Sequence, residues 1–111
     1  MMGLQILEHV RDQLKQCNAV STDREFCEQW LGKSECYLRT LRYGHLSPSA
    51  DAMMTCASKL SWHARQLNNS TQVHHKHWAG VFDQLRTDCV SAVEQQSQLN
   101  WRSRMNGSLA Q

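Results

Sequence analysis

Proline is almost missing from this chain: Pro48 is the only one in 111 residues, and there are five glycines. Long stretches are therefore free of helix breakers, and Gln, Leu, Ala, Arg and Met are plentiful. The expected fold class is all-α. Long apolar runs are also missing. No window approaches the roughly 18 apolar residues a membrane span needs. The first residues lack the basic start of a secretory signal, because Gln5, Glu8, His9, Arg11 and Asp12 interrupt them. A cytoplasmic protein without membrane contact is expected. The five cysteines (Cys17, Cys27, Cys36, Cys56, Cys89) are odd in number and none are spaced C-x-x-C. A disulfide framework is not expected, and reduced thiols acting as small hydrophobes are the simpler reading.

Charge of one sign is lacking too. The formal net charge is +2, which by itself points to no polyanion partner. The ten carboxylates form no recognisable catalytic pair, and no Ser/His/Asp grouping or glycine-rich phosphate loop occurs. No enzyme activity, cofactor or small-molecule ligand is expected. His74, His75 and His77 crowd one stretch, with His63 nearby, but no further ligands complete a metal site. They read as a polar helix face, and no metal is expected.

Periodicity supplies the elements, and one domain over residues 1–111 accommodates them. Leu4, Leu7, Val10, Leu14 and Cys17 recur at steps of three and four, which predicts a first helix over 3–18. Thr22 to Glu25 reads as a capping box that opens a second helix. Phe26, Cys27, Trp30 and Leu31 face inward on it, and Gly32 ends it. Ser34 is a fitting N-cap for a third helix over 34–43, with Tyr37, Leu38 and Leu41 inward and Gly44 as its stop. Ser49 caps the next segment, where Met53, Cys56, Ala57, Leu60, Ala64 and Leu67 share a face, as one helix or two. A long helix over 72–102 follows. Its Trp78, Phe82, Leu85, Cys89, Ala92 and Leu99 alternate four and three, like a heptad seam.

The segment 31–49 reads L-G-K-S-E-C-Y-L-R-T-L-R-Y-G-H-L-S-P-S. It resembles the Cro/repressor family of helix-turn-helix domains, whose pattern L-G-x-S-x-x-Y-[IL]-x-x-[IL]-x-x-G-x-x-x-P-S it fills at every fixed position. The resemblance covers about residues 22–67 and implies a helix-turn-helix core of about five helices, with the long C-terminal helix added. One departure precedes it: Phe26 to Gly32 carries one residue more than the family's usual L-A-x-x-L-G. The resemblance implies a sequence-specific transcriptional regulator that reads double-stranded DNA with the helix at 34–43 in the major groove. Glu35, Cys36, Arg39 and Thr40 would then face bases. Lys33, Arg42, Tyr43, His45 and Ser49 would face phosphates, and Ser34 would cap first and contact phosphate second. Such domains usually bind as dimers, and the seam of Trp78, Phe82, Leu85 and Cys89 is the expected dimer contact. Otherwise this helix packs back on its own domain and with the first helix makes one larger core. The alternative is a protein-interaction module on the same scaffold without DNA binding. The near-neutral charge and Glu35 on the reading helix favour it.

Overall fold

A computed structural model describes the backbone of residues 3–110 and the side chains of residues 3–105. Every regular element among them is helical. In chain order they are α1 (Gly3–Gln16), α2, α3 (Tyr37–Gly44), α4 (Ala50–Asn68) and α5 (Val73–Ala110). Of these, α2 is one α-helical turn, Asp23–Glu25, running directly into a π-helical stretch, Phe26–Trp30. The molecule measures 60 × 27 × 19 Å. At 1.5 Å per residue the 38 residues of α5 span about 57 Å, so this one helix sets the long axis. No helix among the described residues is long and apolar enough to cross a membrane.

One core joins all five helices. Leu7, Val10 and Leu14 come from α1, Phe26, Cys27 and Trp30 from α2, and Leu38 from α3. From α4 come Met53, Cys56, Ala57, Leu60 and Ala64, and from α5 come Phe82, Leu85 and Cys89. The Met53–Leu67 face, for which one helix or two would serve, is a single uninterrupted helix. It pairs with α5 as the most extensive helix contact in the molecule.

That pairing corrects the expected dimer contact. Phe82, Leu85 and Cys89 are buried within their own chain, and Trp78 is half-buried against the same core. Phe82 packs edge-on to Trp30 at 6.5 Å, to His63 at 6.4 Å and to Trp78 at 6.3 Å between ring centroids. A heptad seam reports that one face of a helix is covered, and here α4 covers it. The Phe82–Cys89 part of the seam cannot serve a second chain without opening the α4–α5 hairpin, whereas Leu99 at its far end is 63% exposed.

Cys27, Cys56 and Cys89 are buried as the small hydrophobes expected, whereas Cys17 is half-buried and Cys36 is exposed. All five are free. Burial pushes the Cys27 thiol up, and the neighbouring Cys89 thiol together with shared burial pushes Cys56 up. His63 stacks on Trp30 with ring centroids 5.0 Å apart. Burial, then the nearby Lys59 charge, lowers its pKa.

Three helix ends use a residue in the left-handed conformation: Asn18, Gly32 and His45. His45 has φ 51° and ψ 41°. Its N–H donates to the Arg42 carbonyl at 3.4 Å, and the Leu46 N–H to the Leu41 carbonyl at 2.9 Å, the double bond of a Schellman cap. The stop of α3 is therefore His45 and not Gly44. Gly44 is the last helical residue, and it serves by lacking a Cβ, which would lie 3.1 Å from the Leu46 side chain folded back over it. A non-glycine residue in this conformation is strained. His45→Gly is expected to raise the unfolding free energy by about 1 kcal/mol, read as a higher urea midpoint at unchanged slope.

Candidate nucleic-acid interface

The approach to α3 begins at the α2 cap. Thr22 Oγ1 accepts the Glu25 N–H at 3.1 Å, and Glu25 Oε2 accepts the Ser21 N–H at 3.2 Å. The capping box is thus present with its return bond one residue upstream of the usual place. Asp23 then receives Lys15 Nζ at 2.8 Å and an Arg11 nitrogen at 3.3 Å, which ties α2 to α1. The hydrogen bond from Lys15 holds the Asp23 carboxyl below its ordinary range.

The stretch Phe26–Trp30, just before Gly32, is π-helical. A π-helical turn closes i→i+5 rather than i→i+4 bonds, so it takes up one residue more than an α-turn. Phe26, Cys27, Trp30 and Leu31 are all buried despite the added residue. Gly32, at φ 66°, then reverses the chain, and the Lys33 N–H closes on the Cys27 carbonyl at 2.9 Å.

The start of α3 differs from the sequence expectation. The helix begins at Tyr37, two residues later than the Ser34 cap would place it. The Tyr37 N–H bonds the Ser34 carbonyl in a turn at 3.1 Å, and the N-cap position falls to Cys36, which makes no side-chain cap bond. Lys33, Ser34, Glu35 and Cys36 therefore lie in the turn before the helix, not on it. The physical reason is local: the reversal at Gly32 is closed by Lys33, and the next residues complete a turn before helical geometry can resume.

A narrow inward stripe, Leu38 and Leu41 with half-buried Tyr37, holds α3 to the body. The rest of the helix is open. Arg39, Thr40, Arg42 and Tyr43 are exposed, Tyr43 at 80%. Arg39 makes no ion pair or hydrogen bond among the described residues, so its guanidinium is unspent. Other charges expected in the interface are partnered. Arg42 meets Glu8 of α1 at 2.8 Å, Glu35 meets Arg24 at 3.3 Å, and Lys33 meets Asp51 at 3.1 Å. Exposed pairs of this kind contribute about 0–1 kcal/mol, so a phosphate can compete for their cations.

The far side of the interface is built on Ser49. Its side chain accepts the Ala52 N–H at 3.1 Å and so caps α4, as expected. The Tyr37 hydroxyl accepts the Ser49 N–H at 3.0 Å, which clamps the first turn of α3 to the first turn of α4. Tyr37 was legible only as an inward residue. The role of its hydroxyl, reaching twelve residues along the chain, leaves no local signal. Cys36, His45 and Ser49 are exposed around this clamp.

The class these features define is a small all-helical domain that presents one short helix on a packed helical base. The chain belongs to a family of unknown function, DUF6626, whose profile matches residues 7–102. No curated protein and no solved structure matches it.

Proposed function

We propose that the protein is a sequence-specific DNA-binding regulator of transcription, with α3 as the helix that enters the major groove. The observation that carries this reading is the bare outer face of α3, with Arg39 at its centre unpartnered among the described residues. An α-helix fits the major groove, and an arginine there can pair bidentately with guanine. The resemblance of residues 31–49 to Cro/repressor domains supports the same assignment of roles. Arg39 and Thr40 face bases, while Arg42, Tyr43, His45 and Ser49 lie toward phosphates. Lys33, Ser34, Glu35 and Cys36 act from the preceding turn. The start of α4 adds unpaired backbone N–H groups suited to a phosphate.

The ion pairs on Lys33, Glu35 and Arg42 favour a second reading, an interaction module whose exposed helix meets a protein. Selection of bound fragments from a pool of random duplexes separates the two. The DNA reading expects an enriched sequence, and retention that falls steeply with added salt. A palindromic consensus would report two copies on the site and a single half-site one copy. Failure to enrich any sequence would leave the interaction module standing.

A further inference from the structure

The positive charge of this chain is not where the candidate reading helix is. Residues 1–51 carry six Lys and Arg against seven Asp and Glu, and residues 83–111 carry three of each. Residues 52–82 contain Lys59, Arg65 and Lys76 and no acidic residue, with four of the six histidines besides. The whole formal excess lies in this stretch, which forms most of α4, the turn after it and the start of α5.

In the fold the Arg65–Lys76 part of this stretch forms the α4–α5 turn, a pole at the opposite end of α4 from Ser49. No carboxylate pairs with any of the stretch's three cations among the described residues, whereas six cations elsewhere are so paired. Lys59 is held in place, donating to the Gln29 carbonyl at 3.0 Å and lying 4.9 Å over the Trp30 ring. Among the described residues Arg65 bonds only the Ser61 hydroxyl, at 3.5 Å, and Lys76 has no side-chain partner. Both are exposed, as are His74 and His77. Trp62, 56% exposed, stands between Lys59 and Arg65 on α4. A surface with cations and no counter-charge is costly to leave facing itself and attracts a polyanion. The 19 residues of α4 carry it about 28 Å from the Ser49 end, less than the roughly 34 Å of one duplex turn.

We infer that this pole is a second, sequence-independent contact to the phosphodiester backbone of nucleic acid, centred on Arg65 and Lys76. The inference rests on DNA being the ligand of α3, and it supplies the electrostatic attraction that the near-neutral α3 region lacks. Sequence preference would come from α3, and most of the salt-dependent affinity from the pole.

The test compares the full chain with Arg65→Ala/Lys76→Ala and with Arg39→Ala. Anisotropy is measured on a labelled enriched duplex and a scrambled one across a salt series, with thermal melts as the fold check. The double variant is expected to bind both duplexes roughly tenfold more weakly at low salt, with a log–log salt slope shallower by about 2 and an unchanged ratio between duplexes. An unchanged slope alongside lost preference in Arg39→Ala overturns the pole and leaves α3 in place. A shallower slope with Arg39→Ala silent keeps the pole and removes α3. No duplex binding by the wild-type chain at low salt overturns both. Poly-glutamate and anionic vesicles serve as further probes, and loss of binding to either of these alone assigns the pole to an acidic protein or a membrane and overturns the inference.

Discussion

Phe82→Ala lowers the unfolding free energy by about 3–5 kcal/mol, and Leu85→Asp leaves no folded chain. Phe82 is 3% exposed and fills the space between Trp30, His63 and Trp78. Truncating it removes both the transfer free energy of the ring and the contacts of its neighbours, which is the basis of that range. A small domain has only about 5–15 kcal/mol in total, so this one change spends a large share. Leu85, also buried, lies on the α5 face covered by α4. A carboxylate there would sit in an apolar seam, where burying the charge is costly. Urea melts with sedimentation on the same samples check both. A Leu85→Asp protein that melts cooperatively at half the wild-type mass would mean that α5 pairs between chains and that its packing on α4 is misassigned.

Arg39→Ala removes sequence preference while leaving the fold untouched. Arg39 is exposed, unpartnered among the described residues and on the outer face of an eight-residue helix, so its loss opens no cavity and orphans no buried group. One bidentate arginine–guanine contact discriminates by about 1–3 kcal/mol, which corresponds to roughly 5–150-fold between the enriched and scrambled duplexes. Binding to the scrambled duplex should fall much less, since it depends on phosphate contacts. Arg39→Lys should restore the charge but not the preference, because an ammonium cannot present the two parallel donors of a guanidinium. Equal preference in all three proteins would mean that another residue reads the sequence.

Much of the fold is legible in the residues, and the remainder fails for identifiable reasons. The α1 stripe, the Thr22 and Ser49 caps and the buried face of α2 rest on local chemistry that tertiary contacts reinforce. The α5 seam is legible as a covered face, but a period carries no information on whether the cover belongs to the same chain. Ser34 has the right side chain for a cap, yet the reversal at Gly32 takes up the next residues and moves the start of α3 to Tyr37. Gly44 reads as a stop because glycine usually is one. Its actual use, room for Leu46, depends on a contact two residues away.

Within the candidate interface, the openness of Arg39, Thr40 and Tyr43 follows from the narrow apolar stripe opposite them. The partners of Arg42, Glu35 and Lys33 do not follow from anything local. They lie 34, 11 and 18 positions away, at Glu8, Arg24 and Asp51, and only the fold brings them together. The total charge of +2 likewise hides its distribution. Six cations against seven anions before Ala52, and three cations with no anion from there to Phe82, describe a polar molecule that the sum makes look bland.

The most direct measurement is a chemical-shift map of the chain titrated with its enriched duplex, following backbone amides and the Arg39 Nε–H. The largest changes should fall on residues 33–49, with the Arg39 side-chain signal among them and the α5 seam silent. Changes that leave α3 untouched would contradict the assignment of its bare face as the surface that reads DNA.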